Sequence, residues 1–161
     1  MSFATTVQAQ ITDLGAGEVI AASPYNVSAF ELFEDGLLEG RFCKFDTGSI
    51  DNLDASATPT LAGIVKRKVS GEISASGAYS TSGPEIDQVA EVINFGFATV
   101  TVQDAADPAK YDPVYTINLD SAERGKATQD SGATGALAVS NCVFWEAKAA
   151  GVWLVRFNTY L

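Results

Sequence analysis

The stretch that decides the fold is Asn141–Tyr160, NCVFWEAKAAGVWLVRFNTY, near the end of the chain. It contains two apolar runs, at Asn141–Lys148 and Val152–Tyr160, separated by the short loop Ala149-Ala150-Gly151. Two such runs around a glycine-containing loop are typical of a β-hairpin. Large apolar side chains occupy both the odd and the even positions of the second run, which face opposite sides of a strand. We therefore predict that this strand is covered on both faces for part of its length.

Similar short runs, rich in Val, Ile, Phe, Thr and Tyr, recur between turn-forming residues. They predict strands at Gly40–Phe45, Ala62–Val69, Gly96–Val102, Val114–Asn118 and Gly125–Thr128. Residues 84–95 fit both a helix and a strand, because their apolar positions satisfy either spacing. Frequent strands with turns between them predict an all-β fold, an antiparallel barrel or a jelly-roll-like sandwich.

Composition limits what this fold can do. The 161 residues suit a single domain, and 20 acidic against 10 basic side chains give a formal net charge of −10. A surface of that sign repels phosphate backbones, so nucleic acid is excluded as an expected partner. The sequence has no histidine, which removes the Ser-His-Asp triad and the common zinc sites. We expect no catalytic residue, metal or cofactor.

The first 40 residues contain no Lys or Arg, whereas a secretory signal peptide starts with a basic region. No apolar run reaches the roughly 18 residues of a membrane helix. We therefore expect synthesis in a cytoplasm and no membrane contact. Cys43 and Cys142 each have an apolar neighbour, so two buried free thiols are expected rather than a disulfide.

Residues 1–22 differ from the rest of the chain, which we assign to one β domain spanning residues 23–161. The segment has scattered apolar side chains, too few for a core and too many for an ordinary solvated tail. We predict an extended arm that becomes ordered against a partner through Phe3, Val7, Ile11 and Leu14. A frayed terminus is the alternative.

The motif most suggestive of chemistry is Asp46-Thr47-Gly48. In aspartic proteases two such loops bring together a pair of aspartates that share a proton. Only one loop is present here, so a protease would have to be a dimer, and no later apolar-apolar-Gly loop that could brace the aspartate is found. We predict a structural turn, with the dimeric aspartic protease kept as the enzymatic alternative.

Charged clusters elsewhere in the chain have ordinary explanations. The groups Asp46, Asp51, Asp54 and Asp104, Asp107, Asp112 lack the register of an EF-hand, so we expect solvated acidic loops. Lys66-Arg67-Lys68 concentrates basic charge, with Lys66 and Lys68 on one face of a strand. These two lysines either contact an acidic partner or protect an exposed sheet edge.

The order of several short motifs resembles the structural cement, or head decoration, proteins of tailed bacteriophages. The motifs run through nearly the whole chain: Met1-Ser2-Phe3, Gly15-Ala16-Gly17-Glu18, Ala22-Ser23-Pro24-Tyr25, Gly40-Arg41-Phe42, Ala62-Gly63-Ile64-Val65, Asp112-Pro113-Val114-Tyr115, Gly125-Lys126, Gly135-Ala136-Leu137-Ala138, Asn141-Cys142-Val143-Phe144 and Gly151-Val152-Trp153-Leu154-Val155-Arg156-Phe157. The chain departs from the family at residues 83–97, and it has Trp145 and Trp153 where smaller residues are common.

The resemblance implies a barrel or jelly-roll-like body that assembles as homotrimers on the virion exterior and bridges neighbouring major capsid proteins. Aromatic side chains are favoured at interfaces, so we predict trimer contacts at Trp145, Trp153, Phe157 and Tyr160. The arm residues, with Lys66 and Lys68, are the predicted capsid contacts. A phage tail or adhesion module of similar β architecture is the non-enzymatic alternative.

Overall fold

The computed structural model describes residues 16–17, 25–31, 37–55, 58–66, 89–103 and 106–158. This part of the chain forms strands and turns, and none of it forms a helix long and apolar enough to cross a bilayer. The strands are β1 (Asn26–Glu31), β2 (Phe42–Asp46), β3 (Ser49–Asn52), β4 (Leu61–Val65), β5 (Val89–Thr101), β6 (Pro113–Ile117), β7 (Ala127–Thr128), β8 (Ala136–Ala149) and β9 (Val152–Phe157).

The strands pair antiparallel in the order β3-β2-β4-β5-β9-β8-β6-β7, and β1 pairs separately with β5. Strand β5 joins the two halves of this sheet. Its first half pairs with β1 and β4, and its second half, from Gly96 to Thr101, pairs with β9. The two halves therefore share one continuous backbone segment.

The sheet curls until its last strand meets β5 again. Val102, just beyond β5, forms a parallel bridge with Ala127 in β7, and the Gln103 N–H donates to the Ala127 carbonyl at 2.9 Å. This contact closes a ring through β5, β9, β8, β6 and β7. The all-β prediction is confirmed, and closure protects the strand edges that an open sheet would expose.

The buried apolar side chains form two clusters. The larger joins side chains of β2 and β4 to those of the ring strands, and it includes Phe42 and Phe157, whose rings meet edge to face with centroids 6.3 Å apart. The smaller lies on the opposite face of β2, β4 and the first half of β5; its members are Leu37, Cys43, Ile50, Ala62, Val65, Ala90 and Val92. Successive strand residues point to opposite faces, so this half of the sheet is covered on both sides.

Two of the sequence motifs have clear structural roles. In Ala62-Gly63-Ile64-Val65, Gly63 has φ +144°, and a Cβ there would collide with the Ile93 carbonyl oxygen of β5. In Gly40-Arg41-Phe42, the Arg41 guanidinium donates to the carbonyls of Ala122 at 2.7 Å and Arg124 at 3.0 Å. These motifs thus hold β2 and β4 against the rest of the body.

The hairpin prediction is confirmed, since β8 pairs antiparallel with β9. Leu154 and Val155 are adjacent and both buried, so β9 is covered on both faces there. The open choice between helix and strand is settled from Val89 onward as strand, and residues 84–88 lie outside the described residues. The sequence predictions omitted β1 and β3. NVSAFE and SIDN contain few large apolar residues, and they form strands by pairing with β5 and β2.

Candidate interaction surface

The four aromatic residues predicted as trimer contacts have different surroundings. Phe157 is only 2% exposed and packs against Phe42 in the core of its own subunit. Its assignment as a trimer contact is corrected, because a side chain so completely buried offers no surface to a neighbour. Trp153 is partly exposed and packs edge to face on Phe144, with centroids 5.7 Å apart. Tyr160 lies outside the described residues.

Trp145 lies at the centre of a surface cluster of aromatic and basic side chains. Its ring meets those of Phe97 and Tyr111 edge to face, at centroid distances of 5.4 and 5.5 Å. Lys110 Nζ lies 4.0 Å from the Trp145 ring centroid, and Arg156 Cζ lies 5.6 Å from it. We call these five residues the Trp145 patch. Cations at such distances from an indole are attracted by the quadrupole of the ring.

Three strands and one turn bring the patch together. Phe97 and Arg156 are direct partners across β5 and β9, so they share one face of the sheet. Trp145 falls at a register shift between Phe144 and Glu146 in β8, opposite Val155 and Leu154. An extra residue of this kind bends the strand and redirects its side chain. Phe144 is buried, whereas Trp145 points outward to the patch.

A turn before β6 supplies Lys110 and Tyr111. The Ala109 N–H donates to Asp112 Oδ2 at 2.8 Å, and the Asp112 N–H donates to the Ala109 carbonyl at 3.1 Å. The Tyr111 N–H donates to the Phe144 carbonyl at 2.7 Å, which fixes the turn on β8. The Tyr111 side chain is 62% exposed beside Trp145.

Of the predicted capsid contacts, only Lys66 lies within the described residues. It follows β4, and its ammonium forms an ion pair with Glu91 of β5. This pair is partly exposed, so it is a local contact across the sheet that leaves the lysine accessible. Lys68 and the arm residues Phe3, Val7, Ile11 and Leu14 lie outside the described part of the chain. Gly17 is described, and its N–H donates to the Thr99 carbonyl at 2.8 Å.

The Asp-Thr-Gly triplet forms the tip of the β2–β3 hairpin. Asp46 pairs with Ser49 across two connecting residues, Thr47 at φ +45° and Gly48 at φ +93°. Positive φ at both positions is typical of the tightest hairpin turns. The Thr47 hydroxyl donates to Asp46 Oδ1 at 2.9 Å, and the Ser49 hydroxyl donates to the Asp46 carbonyl at 2.7 Å. The predicted structural turn is confirmed.

The first acidic cluster surrounds a lysine and is not a fully solvated loop. Lys44 Nζ lies 2.8 Å from Asp54 Oδ2 and 3.6 Å from Asp51 Oδ2, and Asp51 is only 4% exposed. Burial lowers the pKa of Lys44, but the hydrogen bond to Asp54 and the carboxylates of Asp51 and Asp46 outweigh it and raise the pKa. The described residues contain no group of three or more acidic or thiol side chains placed to hold a metal.

Both cysteines are buried free thiols, as predicted. The Cys43 thiol donates to the Gly63 carbonyl at 3.6 Å, and burial raises its pKa to about 12. Burial also raises the pKa of Cys142. Thiols held in the protonated form are poor nucleophiles, so their role is packing.

A cavity of about 650 Å³ lies beside β6 and β7, with Ile117, Leu119, Glu123, Gln129 and Asp130 in its wall. Its carboxylates are held by structural contacts: Glu123 Oε1 accepts from Lys126 Nζ at 2.7 Å, and Asp130 Oδ1 accepts from the Gly132 N–H at 2.8 Å. These two carboxylate oxygens therefore stabilise the surrounding loop, whereas Glu123 Oε2 and Gln129 Oε1 in the same wall are buried without a hydrogen-bond partner among the described residues.

Sequence reasoning identified Trp145 but missed the other members of the patch. Lys110 and Tyr111 precede Asp112-Pro113 and carry no motif of their own. The pairing of Phe97 with Arg156 depends on the register between β5 and β9. The sequence feature that could have indicated the patch is the position of two basic residues, Lys110 and Arg156, next to aromatic residues in an acidic chain.

Comparison with known proteins agrees with this all-β body. The family described as XM1 gp53 minor capsid protein matches residues 5–159. A chain in the solved structure of the capsid of Myoviridae phage XM1 is 75% identical, with 100% of both chains covered and a TM-score of 0.82. A search of the curated proteins found no match. The chain therefore belongs to the XM1 gp53 minor capsid protein family and has a structural role in a tailed-phage capsid.

Proposed function

We propose that the chain is a cement protein, which binds the outside of an assembled capsid and stabilises contacts between neighbouring major capsid proteins. The observation that carries the proposal is the match along the full length of a phage capsid chain at 75% identity. A closed β-ring with a covered core is a rigid body suited to holding two neighbours at a constant separation. Synthesis would take place in the host cytoplasm, before attachment to the head.

Such a protein acts through differential binding. It binds the assembled lattice more tightly than it binds dissociated subunits, and this difference stabilises the lattice by mass action. Many symmetric copies on one head allow modest contacts to add, since a second contact made by an attached molecule is effectively intramolecular.

We assign self-association, as a homotrimer, to the partly exposed Trp153 in the terminal hairpin. Sedimentation of the free protein tests this assignment. A Trp153→Ser variant should shift the trimer toward monomer, whereas a wild-type protein that is monomeric both in solution and on the head would contradict it.

The capsid contact is assigned to the N-terminal arm and to Lys66 and Lys68. The truncated protein that tests the arm should keep Ala16 and Gly17, because the Gly17 N–H donates a backbone hydrogen bond to β5. Deleting residues 1–15 is expected to leave the thermal melt unchanged and to weaken binding to undecorated heads by at least about tenfold, or about 1.4 kcal/mol. Equal binding by the two forms would contradict a role for the arm.

The decisive experiment is co-sedimentation of the full chain with expanded, undecorated heads, followed by heating of decorated and bare heads. Binding together with a higher disruption temperature is the expected result. A tail or adhesion module would not bind heads, and that result would overturn the proposal. A map of the decorated head should show density for this chain on the outer surface, at three-fold positions.

A further inference from the structure

The two cations of the Trp145 patch differ from the other described basic side chains. Within the described ranges, five basic residues form ion pairs with carboxylates: Lys44, Lys66, Arg124, Lys126 and Lys148. Arg41 is satisfied by two backbone carbonyls. Lys110 and Arg156 instead lie on an aromatic ring, and no described carboxylate pairs with either of them. This is unusual in a chain with 20 acidic and 10 basic side chains.

Carboxylates close to the patch are engaged elsewhere. Asp112, near Lys110 in the chain, accepts a hydrogen bond from the Ala109 N–H at 2.8 Å. Glu146, next to Trp145, pairs with Lys148 at 2.8 Å. Neither of these two carboxylates forms an ion pair with Lys110 or Arg156, although acidic groups are abundant in the chain.

The backbone at Tyr111 is strained in a way that serves the patch. Tyr111 has φ +77°, a left-handed conformation that is rarely adopted by bulky residues. Backbone strain of this kind persists only where the surroundings impose it, and it is concentrated at functional sites. Here the strained residue holds a 62% exposed aromatic ring against Trp145 and places Lys110 over the indole.

We propose that the Trp145 patch binds an acidic segment of the capsid protein to which this chain attaches. Carboxylates of that segment pair with Lys110 and Arg156, and its aliphatic atoms pack on the exposed ring of Tyr111. This inference rests on the proposed cement function and adds the chemistry of one of its contacts. A partner with this chemistry complements the two exposed cations, for which no described carboxylate is a partner.

A second copy of this chain is the other acidic occupant to consider. Each copy has a formal charge of −10, so two copies repel each other over distances set by ionic strength. Self-association is already assigned to the apolar surface of Trp153, which leaves the two patch cations for a different partner. We therefore assign the patch to the capsid protein.

The test compares two double variants with the same change in net charge. Lys110→Gln with Arg156→Gln removes the patch cations, and Arg124→Gln with Lys126→Gln removes two cations whose carboxylate partners are known. Binding of each full-length protein to undecorated heads is measured by co-sedimentation at low and high salt. A thermal melt of each variant verifies folding, and sedimentation of the free protein gives its oligomeric state.

The patch variant should bind heads at least about tenfold more weakly, with a shallower salt dependence and an unchanged oligomeric state. The control variant should bind within about twofold of wild type. Equal binding by the two double variants would overturn the assignment, as would loss of self-association in the patch variant, which would identify a second copy as the occupant. If wild type itself does not bind heads, the cement function fails and this inference fails with it.

Discussion

At the scale of single residues, the hairpin tip at Asp46 gives the sharpest test of structure against catalysis. Asp46 Oδ1 accepts only the Thr47 hydroxyl among the contacts described for it, and an asparagine oxygen can accept the same bond. Asp46→Asn should therefore change the free energy of unfolding by less than about 1 kcal/mol, as for other surface changes. Urea unfolding monitored by tryptophan fluorescence measures this.

The matched variant at the same turn is Gly48→Ala. A methyl group at Gly48 has open space around it, but φ is +93°, so the substitution should cost roughly 1 kcal/mol through backbone strain alone. Peptide cleavage at acid pH that is blocked by pepstatin and lost in Asp46→Asn would contradict the structural assignment.

Alkaline pH should destabilise the fold through Cys43. Its pKa is about 12 in the folded protein against 9.0 ordinarily. The unfolded chain therefore releases this proton at lower pH, and the stability associated with the neutral thiol is lost as pH rises from about 9 toward 12. The raised pKa of Lys44 acts in the same direction. Cys43→Ala should flatten the decline of unfolding free energy above pH 9, measured by urea titration at fixed pH values; an unchanged slope would contradict this account.

At the scale of secondary-structure elements, the ion pair of Lys44 on β2 and that of Lys66 just after β4 allow a buried and an exposed ion pair to be compared. Lys44→Met leaves the buried carboxylate of Asp51 without its cation and should cost roughly 3 kcal/mol, the lower end for a broken buried pair. Lys66→Met is the control: its partner Glu91 is half exposed, so the cost should be below about 1 kcal/mol. If thermal unfolding showed the same loss of stability in both variants, burial would not decide how much an ion pair contributes to stability.

At the scale of the whole molecule, β5 should make the two halves of the sheet unfold together. Both tryptophans lie in β8 and β9, whereas Cys43 lies in the other half, on β2. In a Cys142→Ala background, where Cys43 is the only thiol, tryptophan fluorescence and Cys43 labelling by a thiol reagent should thus report the same urea midpoint, as two-state unfolding requires.

Phe42 contacts the terminal hairpin through Phe157. Phe42→Ala should therefore lower both urea midpoints together and reduce the free energy of unfolding by roughly 3–5 kcal/mol. Two separated transitions would instead identify independent halves.

The sequence alone determined the all-β class, the terminal hairpin, the turn at Asp46 and the buried state of both thiols. Each of these depends on neighbours in the chain: alternation of apolar residues, a glycine at a turn, and apolar flanks around a cysteine. The motif order also led to the phage capsid family before any contact was known. These features are local, so they can be derived from short stretches.

Only the tertiary structure decided which residues form the Trp145 patch, why Lys44 is buried and why Phe157 is unavailable to a neighbour. Phe97 meets Arg156 because β5 and β9 pair in one register, and a shift of one residue would move both to the other face. Polar strands such as β3 form because a neighbouring strand supplies their hydrogen bonds. Register and closure are set by packing between residues distant in sequence, and a pattern read along one strand contains no information about its partner.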